Sequence, residues 1–223
     1  MNTVHKKATK TEKKAKMPIR KTFRHGNLRQ ALLEAGVDLA RAGGPQAVVL
    51  REATRRAGVA PNAAYRHFSS HGDLLGAVRA AALSALALAI EAEIERLPRR
   101  QPPADRARAT LRAVGTGYLK FALKETGLFR TAFSVPDPVE GDLDTAKTGH
   151  TGLNPFQLLG SALDRMVEAG VLPPERREGA EYLAWSAVHG LAFLVMEGPL
   201  SGASAKNVKA LTERLLEMVE KGL

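Results

Sequence analysis

The sequence contains no cysteine. Without a thiol the chain cannot form a disulfide, a thiolate metal site or a cysteine nucleophile, and it suits a reducing compartment. We therefore expect a cytoplasmic protein. At 223 residues and 44% apolar content, the chain is still long enough and apolar enough to bury a proper core.

Long hydrophobic runs are also missing. The longest apolar stretch, Ala80 to Ile90, is mostly alanine and is bounded by Arg79 and Glu91, so it is too short for a membrane span. The basic N-terminus has no apolar segment behind it, unlike a secretory signal. We expect no membrane partner.

The motifs of common enzyme classes are absent as well. The sequence has no glycine-rich phosphate loop, no His/Glu metal spacing and no nucleophile elbow. His67 and His71 are four residues apart, but Ser69 and Ser70 interrupt the helical pattern between them, so they do not share a helix face. We expect no catalytic residue, no metal site and no cofactor.

Positive charge is present in excess, and it is confined to one third of the chain. Residues 1–75 contain 15 Lys and Arg against 5 Asp and Glu, which accounts for the whole formal charge of +10. This asymmetry indicates one end that binds a polyanion and a neutral end with another role. The alternative is a surplus that only keeps the protein soluble, but solubility does not require segregated charge.

The hydrophobic pattern is helical throughout, and we divide the chain into three parts. Residues 1–21, with a single acid, Glu12, predict a disordered basic arm that follows a DNA backbone or remains a solvated tail. Residues 22–75 contain short helices, and residues 76–223 contain longer ones. No segment shows sustained alternation of β-branched residues, so the fold class is all-α, with about nine helices.

Start and stop signals give approximate helix bounds. A first helix from His25 ends at Gly43-Gly44, and a long helix begins at Ser70, spaced from Asp73 as a capping box, and ends at Leu97. Ser134 to Gly152 predicts a surface loop. The remaining long helices are predicted at about 104–124, 155–170, 175–197 and 203–221, with a shorter one around Leu128 and Phe133.

The segment from Leu50 to Phe68 has the layout of a helix-turn-helix. Gly58 permits the positive φ that a tight turn between two helices needs, and Pro61 suits the first position of the second helix. The second helix can then enter a major groove with its first residues facing the bases. Small residues and apolar contacts for packing the two helices are Thr54, Ala57, Ala64, Leu50, Val59 and Phe68.

At these residues the sequence resembles the TetR family of bacterial transcriptional regulators. The resemblance covers about 50 continuous residues and includes His25-Gly-Asn-Leu-Arg29, Arg51-Glu52, Gly58-Val59, Tyr65-Arg-His-Phe68 and Asp73-Leu-Leu75. It implies a homodimer that binds double-stranded operator DNA through an N-terminal three-helix domain, followed by a helical bundle for ligand binding and dimerisation.

The resemblance also implies roles for individual residues. Tyr65 and His67 would hold backbone phosphates, while Asn62 and Ala63 would face the bases, where asparagine can pair with adenine and alanine can contact a thymine methyl group. Phe68 and, as an alternative, Tyr65 would be core aromatics. The full predicted DNA-binding set is Arg51, Arg55, Pro61, Asn62, Ala63, Tyr65, Arg66, His67 and His71.

Three positions depart from the family pattern. Val49 replaces a hydroxyl cap, Ala60 replaces a serine or similar residue, and His71 stands where a phosphate-binding lysine is usual. A histidine is mostly neutral at pH 7 and would give a weaker, pH-sensitive contact. The cations of the basic arm would offset these losses.

A second resemblance lies near the C-terminus. Trp185, His189 and Gly190 look like the Trp-His-Gly signature of one branch of TetR-family C-terminal domains, which implies a domain that dimerises and binds an effector. An apolar cavity there, with Tyr118, His189 and the Trp185 N–H as polar groups, would suit a small hydrophobic or aromatic effector. The alternative is plain core, with His189 hydrogen-bonded to a neighbouring helix. The candidate ligand-binding residues are Tyr118, Phe121, Phe133, Leu163, Met166, Trp185, His189 and Phe193.

The last two helices are predicted to form the dimer interface. Two such pairs make a four-helix interface, place two recognition helices roughly 34 to 36 Å apart and predict a palindromic operator. The function we expect is a repressor released from its operator by a small hydrophobic effector. The alternatives are a DNA-binding dimer without an effector and a nonspecific polyanion binder. The interface residues predicted from the pattern are Leu183, Val188, Leu191, Val195, Leu211, Leu215, Met218 and Val219.

Overall fold

The computed structural model describes residues 28–136 and 138–223. Within these ranges the chain forms nine α-helices, three short 3-10 turns and no strand, so the predicted all-α fold is confirmed. The predicted basic arm, residues 1–21, lies outside the described residues. The helices are α1 Leu28–Gly43, α2 Leu50–Ala57, α3 Pro61–Ala64, α4 His71–Glu95, α5 Pro103–Lys124, α6 Thr126–Ala132, α7 Pro155–Glu168, α8 Ala180–Met196 and α9 Ala205–Gly222.

The first three helices pack around small buried side chains, as the sequence predicts. Thr54, Ala57 and Ala64 are buried, so α2 and α3 approach each other closely. Gly58 ends α2 with a φ of 68° and a ψ of 31°, the left-handed conformation that glycine adopts without steric cost. The turn therefore directs α3 away from α2 at a steep angle.

The long helix α4 connects the first three helices to the rest of the chain. The Ser70 hydroxyl accepts a hydrogen bond from the Asp73 amide at 3.1 Å and caps its first turn. The Asp73 carboxylate in turn accepts from the Ser69 amide at 3.0 Å, one residue before the cap. The helix ends at Glu95, two residues before the predicted end.

Helix α4 is apolar because it lies in the core. Within the described chain it is the one helix long and apolar enough to span a membrane by length and composition. Its residues Leu74, Val78, Leu86 and Ile90 are buried against α1, α5, α6 and α7. Burial between neighbouring helices accounts for this composition.

Helices α5 to α9 form a bundle around α5, which contacts α4, α7, α8 and α9. Helix α7 begins with a capping box in which Asn154 and Gln157 bond each other's backbone amides. The helix predicted at 175–197 begins only at Ala180, because Pro174–Arg176 forms a 3-10 turn and Gly179 takes a φ of 71°. The predicted start of the first helix at His25 lies outside the described residues, and the other predicted bounds agree within a few residues.

Candidate nucleic-acid interface and effector cavity

The helix-turn-helix leaves its predicted DNA-contacting side chains at the surface. Ala63 is half-buried, and the other eight are exposed: Arg51, Arg55, Pro61, Asn62, Tyr65, Arg66, His67 and His71. Tyr65 is 57% exposed, whereas Phe68, three residues later, is buried. The alternative that Tyr65 is a core aromatic is therefore wrong, and its hydroxyl is available to a partner in solution.

Arg55 is paired with an acid on the same helix. Its Nη2 lies 2.6 Å from Oε1 of Glu52 and its Nε lies 2.8 Å from Oε2, a bidentate contact. These hydrogen bonds from Arg55, with a weaker contribution from Arg56, lower the pKa of Glu52 to about 2. Glu52 is therefore ionised at any physiological pH, and a phosphate that approaches Arg55 must compete with it.

The starts of α2 and α3 lack side-chain caps. Neither Val49 nor Ala60 accepts a hydrogen bond from the first turn of its helix. This is the structural result of the two departures from the family pattern seen in the sequence, because neither side chain has an acceptor atom.

A cavity of about 690 Å³ lies in the bundle, between α4, α5, α7, α8, α9 and the segment from Val135 to Lys147. Four of the predicted ligand-binding residues line it, namely Tyr118, Phe133, Trp185 and His189. The lining is mostly apolar and aromatic, the composition typical of small-molecule sites.

The other four predicted ligand-binding residues lie elsewhere. Phe121 is four residues after Gly117, which packs against the backbone of Ile90, so it faces α4. Leu163 and Met166 are buried in the core at the end of α7. Phe193 is one turn beyond His189 and is 53% exposed on the outer face of α8.

The side chains of Trp185, Tyr118 and His189 form a hydrogen-bonded chain in the cavity wall. The Trp185 Nε1–H donates to the Tyr118 hydroxyl at 2.9 Å, and that hydroxyl lies 2.7 Å from Nδ1 of His189. Indole is only a donor, so the Tyr118 oxygen accepts from it. The Tyr118 hydroxyl is buried, and its proton has no acceptor other than Nδ1 of His189 among the described residues, so we assign that proton to Nδ1 and the ring proton of His189 to Nε2. Burial lowers the pKa of His189, which favours the neutral ring.

Aromatic rings surround this chain. The Phe133 ring lies edge-on to His189 at 5.1 Å between centroids and 5.9 Å from Trp185. Phe156 lies 6.1 Å from Trp185 and 5.6 Å from Tyr182. Phe156 is not among the ligand-binding residues predicted from the sequence, although the first turn of α7 borders the cavity.

Residues 138–152, called here the segment over the cavity, are fixed to α4; they belong to the stretch that the sequence predicts as an ordered or mobile surface loop. The buried Glu91 carboxylate accepts hydrogen bonds from the His150 amide at 2.8 Å and from the Thr151 amide and hydroxyl at 2.9 and 2.6 Å. Burial raises the pKa of Glu91, but these hydrogen bonds and the nearby His150 outweigh it and leave the pKa below its usual value. The Ser84 hydroxyl adds a bond to the Thr148 carbonyl at 2.7 Å.

The charged residues that line the cavity are also bonded to other groups of the protein. Lys147 lies 2.7 Å from Asp142, with both side chains mostly buried, and Arg112 pairs with Glu220. Arg79 donates to the Val135 carbonyl at 2.9 Å. In the described residues no three histidine or acidic side chains are grouped as metal ligands would be.

Helices α8 and α9 expose apolar side chains, of which Leu183, Leu211 and Met218 are among those predicted. Val188 and Leu191 are buried within the protomer, so their assignment to the interface is wrong. Val195, Leu215 and Val219 are partly buried against the core. The exposed apolar side chains are Leu183, Phe193, Leu194, Leu211 and Met218.

Solved structures with the same fold share low sequence identity with this chain. A Rhodococcus sp. RHA1 protein of unknown function is 24% identical, with a TM-score of 0.67 over 89% of this chain and 98% of the other. FadR from Bacillus subtilis, solved in complex with stearoyl-CoA, is 14% identical, with a TM-score of 0.58 over 87% and 98%. PfmR from Thermus thermophilus, a TetR family transcriptional regulator, is 18% identical, with a TM-score of 0.52 over 86% and 98%.

Family models give a more direct assignment. No curated protein sequence matches the chain significantly. The model of the tetR family of bacterial regulatory proteins matches residues 32–78, and that of the tetracyclin repressor-like C-terminal domain matches residues 111–219. The two matches cover both the helix-turn-helix and the bundle that encloses the cavity. The chain belongs to the TetR family of DNA-binding transcriptional regulators.

Proposed function

We propose that this protein is a dimeric repressor that binds a palindromic operator and is released by a small hydrophobic effector. The observation that supports the effector is the position of the cavity, which is lined by Arg79, Leu83 and Ile90 of α4. The same helix begins three residues after Phe68, the buried residue that follows α3. A ligand that shifts α4 would therefore also shift the DNA-binding helices.

In this proposal residues 22–75 bind DNA and residues 76–223 regulate binding, with α4 shared between them. Release follows from a population shift: the effector prefers the dimer conformation in which the two recognition helices are wrongly spaced. FadR, which has the same fold, was solved with a small molecule bound, and this supports a ligand in a domain of this kind.

The DNA half of the proposal assigns contacts by chemistry. Asn62 and Ala63 at the start of α3 would contact bases, while Tyr65, Arg66 and His67 would hold phosphates. Arg51, Arg55, Pro61 and His71 would lie at the edges of the same interface.

Selection of sequences from a random DNA pool tests this half. We expect enrichment of an inverted repeat whose half-sites are about 10 base pairs apart, centre to centre. The Asn62→Ala variant should select a repeat with a relaxed position in each half-site. Enrichment of no palindrome, with equal binding to all sequences, would support a nonspecific polyanion binder and refute the proposal.

A reporter gene behind the selected operator tests repression and effector release. The protein should lower transcription, and apolar ring compounds that enter the cells should restore it. The variant Leu83→Trp, which fills part of the cavity, should still bind the operator or be constitutively released, and in either case it should lose the response. A wild-type protein that represses but responds to no such compound would favour the DNA-binding dimer without an effector.

A further inference from the structure

We infer that the effector is a neutral ring compound with one hydrogen-bond acceptor, such as an aromatic ketone or ester, and that Nε2–H of His189 donates to that acceptor. This inference depends on the proposed function, because it assumes that the cavity holds the effector. It rests on which polar atoms in the cavity wall are already used and which one is left.

Two of the three polar groups expected to meet a ligand are used within the wall. The Trp185 N–H donates a hydrogen bond to the Tyr118 hydroxyl, and that hydroxyl donates one to Nδ1 of His189. Trp185 and Tyr118 therefore position His189 and do not themselves offer a donor to the ligand.

The remaining donor is on the other nitrogen of the same ring. Since Nδ1 is an acceptor here, the neutral imidazole has its proton on Nε2. Nε2 has no hydrogen-bond partner within the described parts of the chain, and the ring lines the cavity. This N–H is half-buried among phenyl rings, so a ligand that brings an acceptor atom would form a hydrogen bond that the N–H otherwise lacks.

Other polar residues in the wall do not change this assignment. Asn154 uses its amide to cap α7, and the Ser186 hydroxyl donates to the Leu183 carbonyl at 3.0 Å. Lys147 is paired with Asp142, and Arg112 is paired with Glu220. Arg79 donates to the Val135 carbonyl, and the Tyr182 hydroxyl donates to Glu140. An acceptor atom on the ligand is therefore matched by the N–H of His189. Because the charged residues of the wall are bonded within the protein, the ligand needs no net charge.

The shape of the wall favours rings in the ligand body. Phe133, Phe156, Tyr182 and Trp185 line the cavity and contact one another at centroid distances between 5.6 and 6.1 Å. Flat rings can stack on such faces or meet their edges. A cavity of about 690 Å³ is in the size range of sites for drug-sized molecules, so a compound of two fused rings fits easily.

The test compares two probes of the same shape that differ in one atom group. In 2-acetylnaphthalene a carbonyl oxygen replaces the methylene group of 2-isopropenylnaphthalene. Binding is measured by calorimetry on the full-length protein, and occupancy is followed by fluorescence of Trp185, which is the chain's one tryptophan and lines the cavity. We expect wild-type protein to bind the ketone about 3- to 10-fold more tightly, the effect of one net hydrogen bond.

Substitution of the donor should remove this preference. The double variant Tyr118→Phe/His189→Phe keeps both rings in the wall but removes Nε2–H and also the Tyr118 hydroxyl, which the loss of Nδ1 would otherwise free as a donor. It should bind both probes with similar affinity. His189→Gln, which restores an N–H donor, should recover part of the preference. Thermal melting of each variant shows whether it is folded, and the comparison of two probes within one variant cancels any general loss of packing.

Each outcome separates this inference from the proposed function. A ketone preference that persists in the double variant Tyr118→Phe/His189→Phe would place the donor elsewhere and overturn the inference. Equal binding of both probes to wild-type protein would also overturn it, while the cavity would stand as an effector site. If neither probe binds, both the inference and the effector half of the proposed function fail.

Discussion

Gly127, in the first turn of α6, lies directly on the backbone carbonyls of Ala40 and Arg41 at the end of α1. A Cβ at residue 127 would come within 2.5 Å of the Arg41 oxygen. The Arg41 side chain also pairs with Glu125, at 2.8 Å between Nε and Oε2. The helix-turn-helix is thus joined to the bundle through the contact of α1 with α6 as well as through α4.

The substitution Gly127→Ala should separate these two helices. The new methyl group meets backbone atoms, which cannot rotate away, so α1 must move. We expect a loss of about 1–3 kcal/mol in the free energy of unfolding, as for overpacked sites, and weaker operator binding, since α1 supports the helix-turn-helix. Thermal melting and a gel shift measure the two effects.

Gly76→Ala is the matched control for that variant. Gly76 is within the helical α4 sequence with open space around its Cβ position, so alanine should leave stability unchanged or raise it by up to about 1 kcal/mol. Equal behaviour of the two variants would mean that the contact between α1 and α6 does not constrain the DNA-binding helices.

Tyr65→Phe should weaken DNA binding without affecting the fold. The side chain is exposed, so loss of its hydroxyl removes no hydrogen bond to any part of the chain that the structure describes. If that hydroxyl donates to a phosphate, affinity should fall about 3- to 10-fold for operator and nonspecific DNA alike. The control is Tyr182→Phe, which removes the hydrogen bond to Glu140 in the second domain and should leave DNA affinity unchanged.

Glu52→Gln should strengthen DNA binding. The variant removes a negative charge and releases Arg55 from its bidentate pair, so the slope of log K against log salt should steepen by up to about one phosphate contact. The pKa of Glu52 is about 2, so wild-type protein has the full negative charge at pH 6 and at pH 8. The gain in affinity should therefore be the same at both pH values.

A charge control identifies the cause of that gain. Glu34→Gln, on the exposed face of α1, makes the same change in net charge but does not release an arginine. An equal gain in both variants would show that net charge alone matters and that Arg55 makes no contact with DNA.

The helices and the turn at Gly58 could be predicted from the sequence, because they depend on local spacing and on backbone preferences. The residues that line the cavity could not all be predicted in this way. Phe121, Leu163 and Met166 are apolar and buried, but which turn of a helix borders empty space depends on how the helices cross. Phe156 was missed for the same reason.

The exposed face of α8 was predicted wrongly for a different reason. It is apolar on most of its surface, so no stripe distinguishes an inner from an outer face. Val188 and Leu191 were therefore assigned to the interface, whereas the structure buries them and exposes Phe193 and Leu194. The role of Glu91 could not be predicted from its neighbours in the sequence, because the residues that it bonds are about 60 positions away along the chain.

Phe193→Glu should disrupt the homodimer. Phe193 is exposed in the protomer beside other apolar residues of α8, and a charge buried in an apolar interface without a partner is costly. We expect a shift toward monomer in sedimentation equilibrium and loss of operator binding. The control is Leu143→Glu, a residue 83% exposed in the segment over the cavity, which should remain dimeric. A dimeric Phe193→Glu protein would place the interface on another surface.

Glu91→Gln should loosen the segment over the cavity and destabilise the protein. A neutral amide accepts hydrogen bonds from His150 and Thr151 more weakly than a carboxylate, so we expect a loss of about 1–3 kcal/mol at pH 7. Faster proteolysis within residues 138–152 should accompany it. Glu95→Gln, at the exposed end of the same helix, should change neither quantity.

The pH dependence of that difference tests whether the ionised carboxylate is responsible. Because the pKa of Glu91 is lowered in the folded state, its stabilising effect is complete above the unfolded value, near 4.5, and is lost as the pH falls through the folded value. The gap in stability between wild-type protein and Glu91→Gln should therefore be constant from pH 8 to pH 6 and should shrink below about pH 4.5. A gap that stays constant down to the acid-unfolding region would mean that the shape of the side chain, not its charge, holds the segment on α4.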